Sequence, residues 1–500
     1  NGLVNYAEVL GGEEVTNGDF STADLSSFTV IYATQEIVSE ELKTTLNTAY
    51  GYGFTRVTFT GEIGKSYKIL ASAKQGTSTG TRVLAQGGLT LTASSTETGT
   101  WSYEGIGVAT STNCQFRLQA YGSNGDYAFF DNVSVKQVDR DNVPRIDYTG
   151  GGCPHILAEP QRTNLIEYSE AFDNAYWTKS GATVESGFTS PDGTANAFKL
   201  VEDTSTGNHF SSKGNVFIAD GNTRGFSIFV KEGERRYIFI TNVNTINNDI
   251  NCVVFDTRDG VFTNTNDTTY ILSRNVTALE NSWYRIDFTS NTNSGAYDNF
   301  FVGISSSGTM SGASYTGDGT SGLYIWGAQA ELGSYPTSLI PTSGSAVTRN
   351  QDIFTRDGIG SLINSTEGVL FVEMAALAND GSYRVITISD GTSANYIALY
   401  YNPTSNNISW ELKVGNAVQF SRSVSLPLGS TSFNKFAFKY KENDCKLFLN
   451  GVESDIYTSN VTFTSNTLNS LFLTNGDGIL LLFGKVKQLQ VYDTALTDEQ

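Results

Sequence analysis

The chain has 500 residues and a formal net charge of −19, with 17% charged, 39% hydrophobic and 12% aromatic residues. That length is too great for one core and predicts two to four domains, and the apolar share is enough to fill them, which excludes a disordered chain. The acidic balance excludes a nucleic-acid partner and electrostatic adhesion to anionic membranes, and the lack of any run near 18 apolar residues excludes membrane insertion.

The four cysteines, Cys114, Cys153, Cys252 and Cys445, are scattered without a CxxC or Cys/His cluster. Neither zinc nor disulfides within modules are expected, so packing and assembly must supply the stability. The chain opens at Asn1 without Met or a signal-peptide pattern and stops at Thr497-Asp498-Glu499-Gln500. Both ends are expected to be trimmed from a longer polypeptide.

Residues 1–10 read as an N-terminal extension, and 11–138 as a first β-sandwich. Short alternating runs at Ser27–Tyr32, Thr55–Thr60, Tyr67–Ala73, Trp101–Val108, Gln115–Ala120 and Ala128–Val135 are bounded by Gly, Asn, Ser or Thr. The stretch Glu36–Thr48 fits a helix or a strand. The opening NGDF, the strand beginning at Trp101 and the closing FFDNVSV of Phe129–Val135 resemble the jelly-roll carbohydrate-binding modules found beside polysaccharide-degrading enzymes. In that family an Asp of the closing strand helps to bind a structural calcium. The resemblance implies such a role for Asp131, with Asp19 and the backbone near Asn17 completing the site. The alternative is that Asp131 simply bonds nearby amides. No cofactor other than this calcium is expected.

Val143–Trp177 organises the rest of the chain. Pro144, Gly150–Gly152, Pro154 and Pro160 break any regular ladder, while Ile146, Tyr148, Ile156, Leu157, Leu165 and Ile166 give it anchors that a flexible linker lacks. Residues 139–164 are therefore expected to be an ordered extended connector. Within it Glu159, Gln161, Arg162 and Asn164 are expected to pair with exposed backbone groups, and Arg162 to fork onto a carboxylate.

Residues 165–340 repeat the grammar of the first module loosely. Phe172–Trp177 stands in for NGDF, Ser282–Ile286 for the Trp101 strand, and Leu323–Gln329 for the closing strand, with Trp326 or a neighbour where the first module has Asp131. Three blocks then occur in order between Glu159 and Asp352: EPQRTNLIEYSEAFDNAYW, SPDGTANAFKLVED and WGAQAELGSYPTSLIPTSGSAVTRNQD. They resemble a segment of bacteriophage head-spike and tail-fibre proteins. The resemblance implies a virion appendage, commonly a homotrimer, bound to other virion proteins. Residues 341–354 read as a second extended connector.

Residues 355–500 carry runs at Glu367–Ala376, Tyr383–Ser389, Tyr396–Tyr401, Ile408–Val414, Lys435–Tyr440 and Lys446–Leu449. The KLFLNG hairpin, with its Asn450-Gly451 turn, and the final strand ending VYDTALTDEQ resemble laminin-G or concanavalin-A-like sandwiches. That family includes lectins, adhesion modules and glycan-processing enzymes.

Signals for catalysis are absent. The two histidines, His155 and His209, have no nucleophile elbow beside them and read as connector and surface residues. No ExDxE strand occurs in the last module, and no β-helix repeat or nucleotide-binding motif elsewhere. Trp101, Trp177, Trp283, Trp326 and Trp410 lie in or beside strands and are expected in cores. The aromatics placed to stack on sugars are Tyr50, Tyr52, Tyr297 and Tyr315, which sit among Gly, Asn, Ser and Asp.

The reading is all-β: three antiparallel β-sandwich (jelly-roll) domains in series, joined by ordered extended connectors. The expected function is a non-enzymatic fibre or spike on the virion surface that adheres to host surface glycans. Two alternatives stay open: binding modules of a secreted bacterial polysaccharide-active or adhesin protein, and a purely structural capsid decoration.

Overall fold

The computed structural model describes residues 4–6, 9–47, 49–91, 94, 96–139, 144–149, 153–217, 222–241, 252–263, 271–291, 298–458, 460 and 462–497. The described chain is all-β and antiparallel. It divides into two compact units, Ala7–Val143 and a second made of Asn1–Tyr6 with Pro144–Gln500.

In the Ala7–Val143 unit, strands alternate core and surface residues. One sheet runs in the order Ala33–Val38, Glu41–Leu46, Tyr127–Asp139, Ser66–Gln75, Thr100–Ala109, Leu89–Thr90, with Val9–Glu13 also on Tyr127–Asp139. The facing sheet runs Phe28–Ile31, Tyr52–Thr60, Asn113–Tyr121, Gly80–Gly87. Leu42, Val57, Ile69, Phe116, Leu118, Phe130 and Val135 fill the space between them. The ambiguous stretch is not helical: its described residues form the hairpin of strands Ala33–Val38 and Glu41–Leu46, and Thr48 lies outside the described residues.

The second unit holds two more sandwich cores. The middle one lies between a six-stranded sheet and a seven-stranded sheet, and is filled by Trp177, Phe226, Ile228, Phe288, Phe300 and Ile325. Its six-stranded sheet places the closing strand Gly322–Leu332 beside Thr223–Lys231, which pairs with Trp283–Asn291. The first sandwich has the same arrangement in Tyr127–Asp139, Ser66–Gln75 and Thr100–Ala109. Each closing strand also carries a bulge opened by a left-handed residue, Asn132 (φ 52) after Asp131 and Gly327 (φ 63) after Trp326. Trp326 thus stands in the place of Asp131.

The third core lies between an eight-stranded and a six-stranded sheet and includes Leu370, Ile386, Leu399, Trp410, Phe436 and Phe438. Asn450 and Gly451, both at positive φ, make the tight turn between Cys445–Leu449 and Val452–Tyr457.

The ordered, extended connectors pair with neighbouring strands over part of their length. Arg145–Asp147 and His155–Ala158 form a hairpin that adds to the last sandwich through Gly484–Tyr492, and Val4–Tyr6 adds to the hairpin. Ala158 lies in that sandwich's core. Extended strand segments satisfy their backbone groups most readily on an open sheet edge, and this edge was available. The second connector pairs with the first: Arg162–Asn164 runs against Val347–Arg349. Gly150–Gly152 lie outside the described residues.

A buried charge cluster locks the two connectors together. Arg145 Nε donates to Asp352 Oδ1 at 2.8 Å, and its Nη2 bonds both Asp352 and, at 2.8 Å, Glu159 Oε2. Glu159 also accepts the Ser338 amide at 2.8 Å and lies 3.0 Å from Arg349 Nη2. The carboxylate of Asp352 accepts the Glu159 amide at 2.7 Å. The residue that forks onto a carboxylate is therefore Arg145, not Arg162, whose guanidinium lies over the Tyr335 ring. Asn164 is fully buried, donating to Ile340 O at 2.9 Å and accepting the amides of Ile166 and Ala330 at 3.1 Å.

Both histidines are more enclosed than their sequence surroundings suggested. His209 is fully buried, with Nε2 3.2 Å from Tyr315 O and Nδ1 against Gly181 O. His155 Nε2 is 3.4 Å from Asp147 Oδ2. Of the five tryptophans, Trp177, Trp283, Trp326 and Trp410 are buried, and Trp101 is half-buried with its indole N–H donating to Thr81 Oγ1 at 2.7 Å.

Removing one member of a buried, hydrogen-bonded charge cluster leaves its partners uncompensated. Arg145→Met is expected to destabilise the 144–500 unit by about 3–5 kcal/mol, read in urea by tryptophan fluorescence. A second expectation concerns Glu331, which accepts both the amide and the hydroxyl of Thr337. Burial pushes its carboxyl up to about 7 from an ordinary 4.5. The folded state therefore keeps this proton longer than the unfolded chain. The resulting stabilisation is complete below pH 4.5 and is lost as pH rises through 7, amounting to roughly 3 kcal/mol at most. At Glu159 burial opposes ionisation, but Arg349 and Arg145 outweigh it and hold the carboxyl below its usual range. Glu331→Gln is expected to flatten the decline in stability between pH 5 and pH 8.

Candidate functional site

The four-stranded sheet of the Ala7–Val143 unit presents an aromatic and polar outer face. Val57, Phe59, Val83, Cys114, Phe116, Leu118 and Ala120 point into the core. Strand alternation sends Tyr52, Phe54, Arg56, Arg82, Arg117, Gln119 and Tyr121 to the opposite side. In register, Tyr121 lies opposite Tyr52, Gln119 opposite Phe54 and Arg82, and Arg117 opposite Arg56.

This face is organised by stacking. The Arg117 guanidinium sits 4.4 Å over the Phe54 ring, and its Nε donates to Gln86. Arg82 Nη1 donates to the Tyr121 hydroxyl at 3.2 Å. At one end the rings of Tyr50, Tyr32, Tyr52 and Tyr121 form, in that order, a chain with centroid separations of 4.9, 6.2 and 6.4 Å. Tyr50 is 70% exposed and Tyr32 46%. Beside this end lies a depression of about 410 Å³ lined by Asn47, Ala49, Gly51, Gly122, Ser123 and Asn124. Its two loops are tied by the Gly122 amide donating to Gly51 O at 3.0 Å. Gly51 has φ 77, a left-handed turn that a glycine adopts without strain. Flat aromatic rings beside amide and guanidinium groups can stack on a sugar ring and bond its hydroxyls.

Tyr50 and Tyr52 are thus brought together, and Tyr32 and Tyr121 join them. Sequence reasoning missed Tyr121, although it ends a run, NCQFRLQAY, whose alternation places it on one face with Gln115, Arg117 and Gln119. Tyr315 is placed differently from the expected open loop. It lies in strand Ser314–Thr316, its hydroxyl bonds Glu202, and its ring is 4.6 Å from that of His209. A tyrosine held on both ring and hydroxyl is a structural contact, not a free stacking platform. Tyr297 lies outside the described residues.

The carboxylates proposed for calcium sit on the other sheet of this sandwich and its entry loop. Asp131 accepts the Asn132 amide at 2.6 Å and its side-chain amide at 2.9 Å, while Asp19 accepts the Ser21 hydroxyl at 3.0 Å. Burial raises the Asp131 carboxyl, with smaller contributions from Glu41, Asp19 and Glu40. Among the described residues no group of three His, Cys, Asp or Glu is placed to hold a metal ion.

The last sandwich has a polar aromatic face of its own. Ile397, Leu399, Tyr401, Ile408, Trp410 and Leu412 point into its core, so Tyr396, Tyr400, Ser409, Glu411 and Lys413 face outward. The Tyr396 and Tyr400 hydroxyls both bond Glu411, the second at 3.1 Å, and Tyr400 lies 3.0 Å from Ser421 Oγ. The cue in the sequence is YIALYY followed by NISWELK, in which the outward positions are tyrosine, serine, glutamate and lysine. In the same unit a cleft of about 870 Å³ is lined by Arg145, Glu159 and Arg349 among others. Glu159 pairs with both arginines, and the three charges serve the connectors.

No curated protein matches the chain in sequence. Among solved structures, a carbohydrate-binding module (CBM40) of the Ruminococcus gnavus IT-sialidase, bound to alpha2,3 sialyllactose, is 17% identical. The match covers 27% of this chain and 79% of that one, with a TM-score of 0.24. Sheep galectin-11 in complex with glycerol is 7% identical over 28% of this chain and 96% of its own, with a TM-score of 0.22. The N-terminal CBM22-1–CBM22-2 tandem domain of Paenibacillus barcinonensis Xyn10C is 11% identical over 66% and 99%, with a TM-score of 0.23. Likenesses this distant do not enter the assignment of a ligand. The sequence of the last sandwich is more informative: residues 371–500 match the family model of the concanavalin A-like lectin/glucanases superfamily.

Proposed function

We propose that this chain is a non-catalytic glycan-binding protein, and that the outer face of the four-stranded sheet in the Ala7–Val143 unit is its principal binding surface. The observation that carries the reading is the row of tyrosines, exposed at Tyr32 and Tyr50 and half-buried at Tyr52 and Tyr121, that runs onto a face of arginine and glutamine side chains. Such a surface suits a ligand that is apolar on its ring faces and rich in hydroxyls on its edges. The lectin-like match of residues 371–500 supports the same ligand class for the last sandwich, through the Tyr396, Tyr400 and Glu411 face.

The setting we propose is a phage fibre or spike on the virion surface, homotrimeric, joined to other virion proteins and adhering to host surface glycans. It is supported by the three ordered sequence blocks between Glu159 and Asp352. The superfamily's glucanase members favour a second reading, in which these are binding modules of a bacterial polysaccharide-active protein. A structural calcium shared by Asp19 and Asp131 goes with the carbohydrate-binding-module plan of the first sandwich under either reading. It is supported because, besides burial, the negative charges of Glu41, Asp19 and Glu40 are near enough to raise the Asp131 carboxyl.

Two experiments test this. Tyr52→Ala and Tyr121→Ala are each expected to weaken binding on a panel of bacterial surface polysaccharides by roughly 5- to 10-fold. Glycan binding that survives both changes and is lost in Glu411→Gln would move the site to the last sandwich, and no binding to any glycan would refute the function. Restoring calcium to chelator-treated protein is expected to raise the melting temperature, and Asp131→Asn to abolish that rise.

A further inference from the structure

The outer face of the four-stranded sheet breaks a rule of sheet design. Arg56 and Arg117 are directly opposed on neighbouring antiparallel strands. Like charges in directly opposed positions destabilise a sheet. Arg82 lies on the next strand, opposite Gln119, two positions along from Arg117. Among the described residues none of the three arginines pairs with a carboxylate. Arg82 reaches the Tyr121 hydroxyl, and Arg117 reaches Gln86 and the Phe54 ring. Arg56 and Arg82 each keep a buried Nε–H without a hydrogen-bond partner.

The chain has 51 acidic residues against 32 basic ones, so carboxylates to neutralise this face were plentiful. Elsewhere the fold uses them: Arg145, Arg235, Arg236, Arg258 and Arg422 are all paired with carboxylates. A local arrangement that costs stability and lacks compensation marks a functional surface. Guanidinium groups offer planar, paired N–H donors that match carboxylate, sulfate or phosphate oxygens.

We infer that this face selects anionic glycans, those carrying carboxylate or sulfate groups, with Arg56, Arg82 and Arg117 binding the charge and Tyr50, Tyr52 and Tyr121 stacking on the sugar rings. The inference rests on the proposed glycan-binding function and names the ligand class of that same surface. The net charge of −19 opposes indiscriminate binding of anionic chains and so sharpens the selection at this patch. A nucleic acid offers anionic charge as well, but a chain of net charge −19 is poorly suited to tracking a polyphosphate backbone.

The test uses the full chain and four probes: hexagalacturonic acid, dextran sulfate, maltohexaose, and a single-stranded oligodeoxythymidylate. Binding of at least one of the two anionic glycans, tenfold or more tighter than maltohexaose and weakening as salt is raised, is expected. Hexagalacturonic acid and dextran sulfate distinguish carboxylate from sulfate recognition. Arg56→Gln and Arg117→Gln are each expected to reduce anionic binding tenfold or more. Their melting temperatures are expected to stay level or rise, because each removes a like-charge opposition. Maltohexaose bound as tightly as the anionic glycans, or anionic binding indifferent to both changes, would overturn the inference while leaving the glycan-binding function intact. Preference for the oligodeoxythymidylate would overturn it in favour of a nucleic-acid surface. Absence of binding to every glycan would overturn both.

Discussion

The buried cluster of Arg145, Glu159, Arg349 and Asp352 is the constraint on which the 144–500 unit depends. These residues come from the two segments that enter and leave the middle sandwich, and each is within reach of the others only if both segments follow a single path. Isolated buried charges carry a large desolvation cost, so the arrangement is tolerable only when every partner is in place. The cluster therefore acts as a registration device. Its hydrogen bonds fix the alignment of Arg162–Asn164 against Val347–Arg349, and Asn164 adds a fully buried amide bonded to both the exit segment and the middle sandwich.

One sandwich plan serves different ends because its inner and outer faces are independent. Inward positions must be apolar to fill a core, whatever the module does. The outer faces are free to diverge. In the first sandwich the outer side of the four-stranded sheet carries tyrosine, arginine and glutamine side chains, half-buried or buried against one another. In the middle one, Phe229, Trp283 and Trp326 on the outer side of the six-stranded sheet are buried and pack against Leu339 of the exit segment. The replacement of Asp131 by Trp326 at the same bulged position illustrates this, with a polar carboxylate in one module and an indole beneath a connector in the other.

Part of the candidate face was legible from local chemistry. Tyr50 and Tyr52 stood out because turn residues surround them, and the structure places both rings on one cluster. Tyr121 was not seen because it lies 69 positions from Tyr52 in the chain, and only antiparallel pairing brings the two opposite each other. Tyr315 misled for the converse reason. Its neighbours are typical of a loop, but the strand Thr206–Phe217 captures Ser314–Thr316, and Glu202 and His209 then enclose the ring. His209 was likewise set in a polar sequence and buried by strands distant in the chain. Burial is a property of partners, and a short window of sequence contains few of them.

What the sequence determined by itself was the repertoire of elements: short alternating strands, turns at glycine and asparagine, aromatic core positions, and an ordered, proline-rich connector. These follow from backbone sterics and side-chain alternation, which act over a few residues. Tertiary structure decided where those elements found partners. It turned the connectors into strands of the last sandwich and of each other, because an unpaired backbone segment beside an open sheet edge gains hydrogen bonds by joining it. It also set three arginines side by side on one sheet face, through a strand register that no local pattern in the chain encodes.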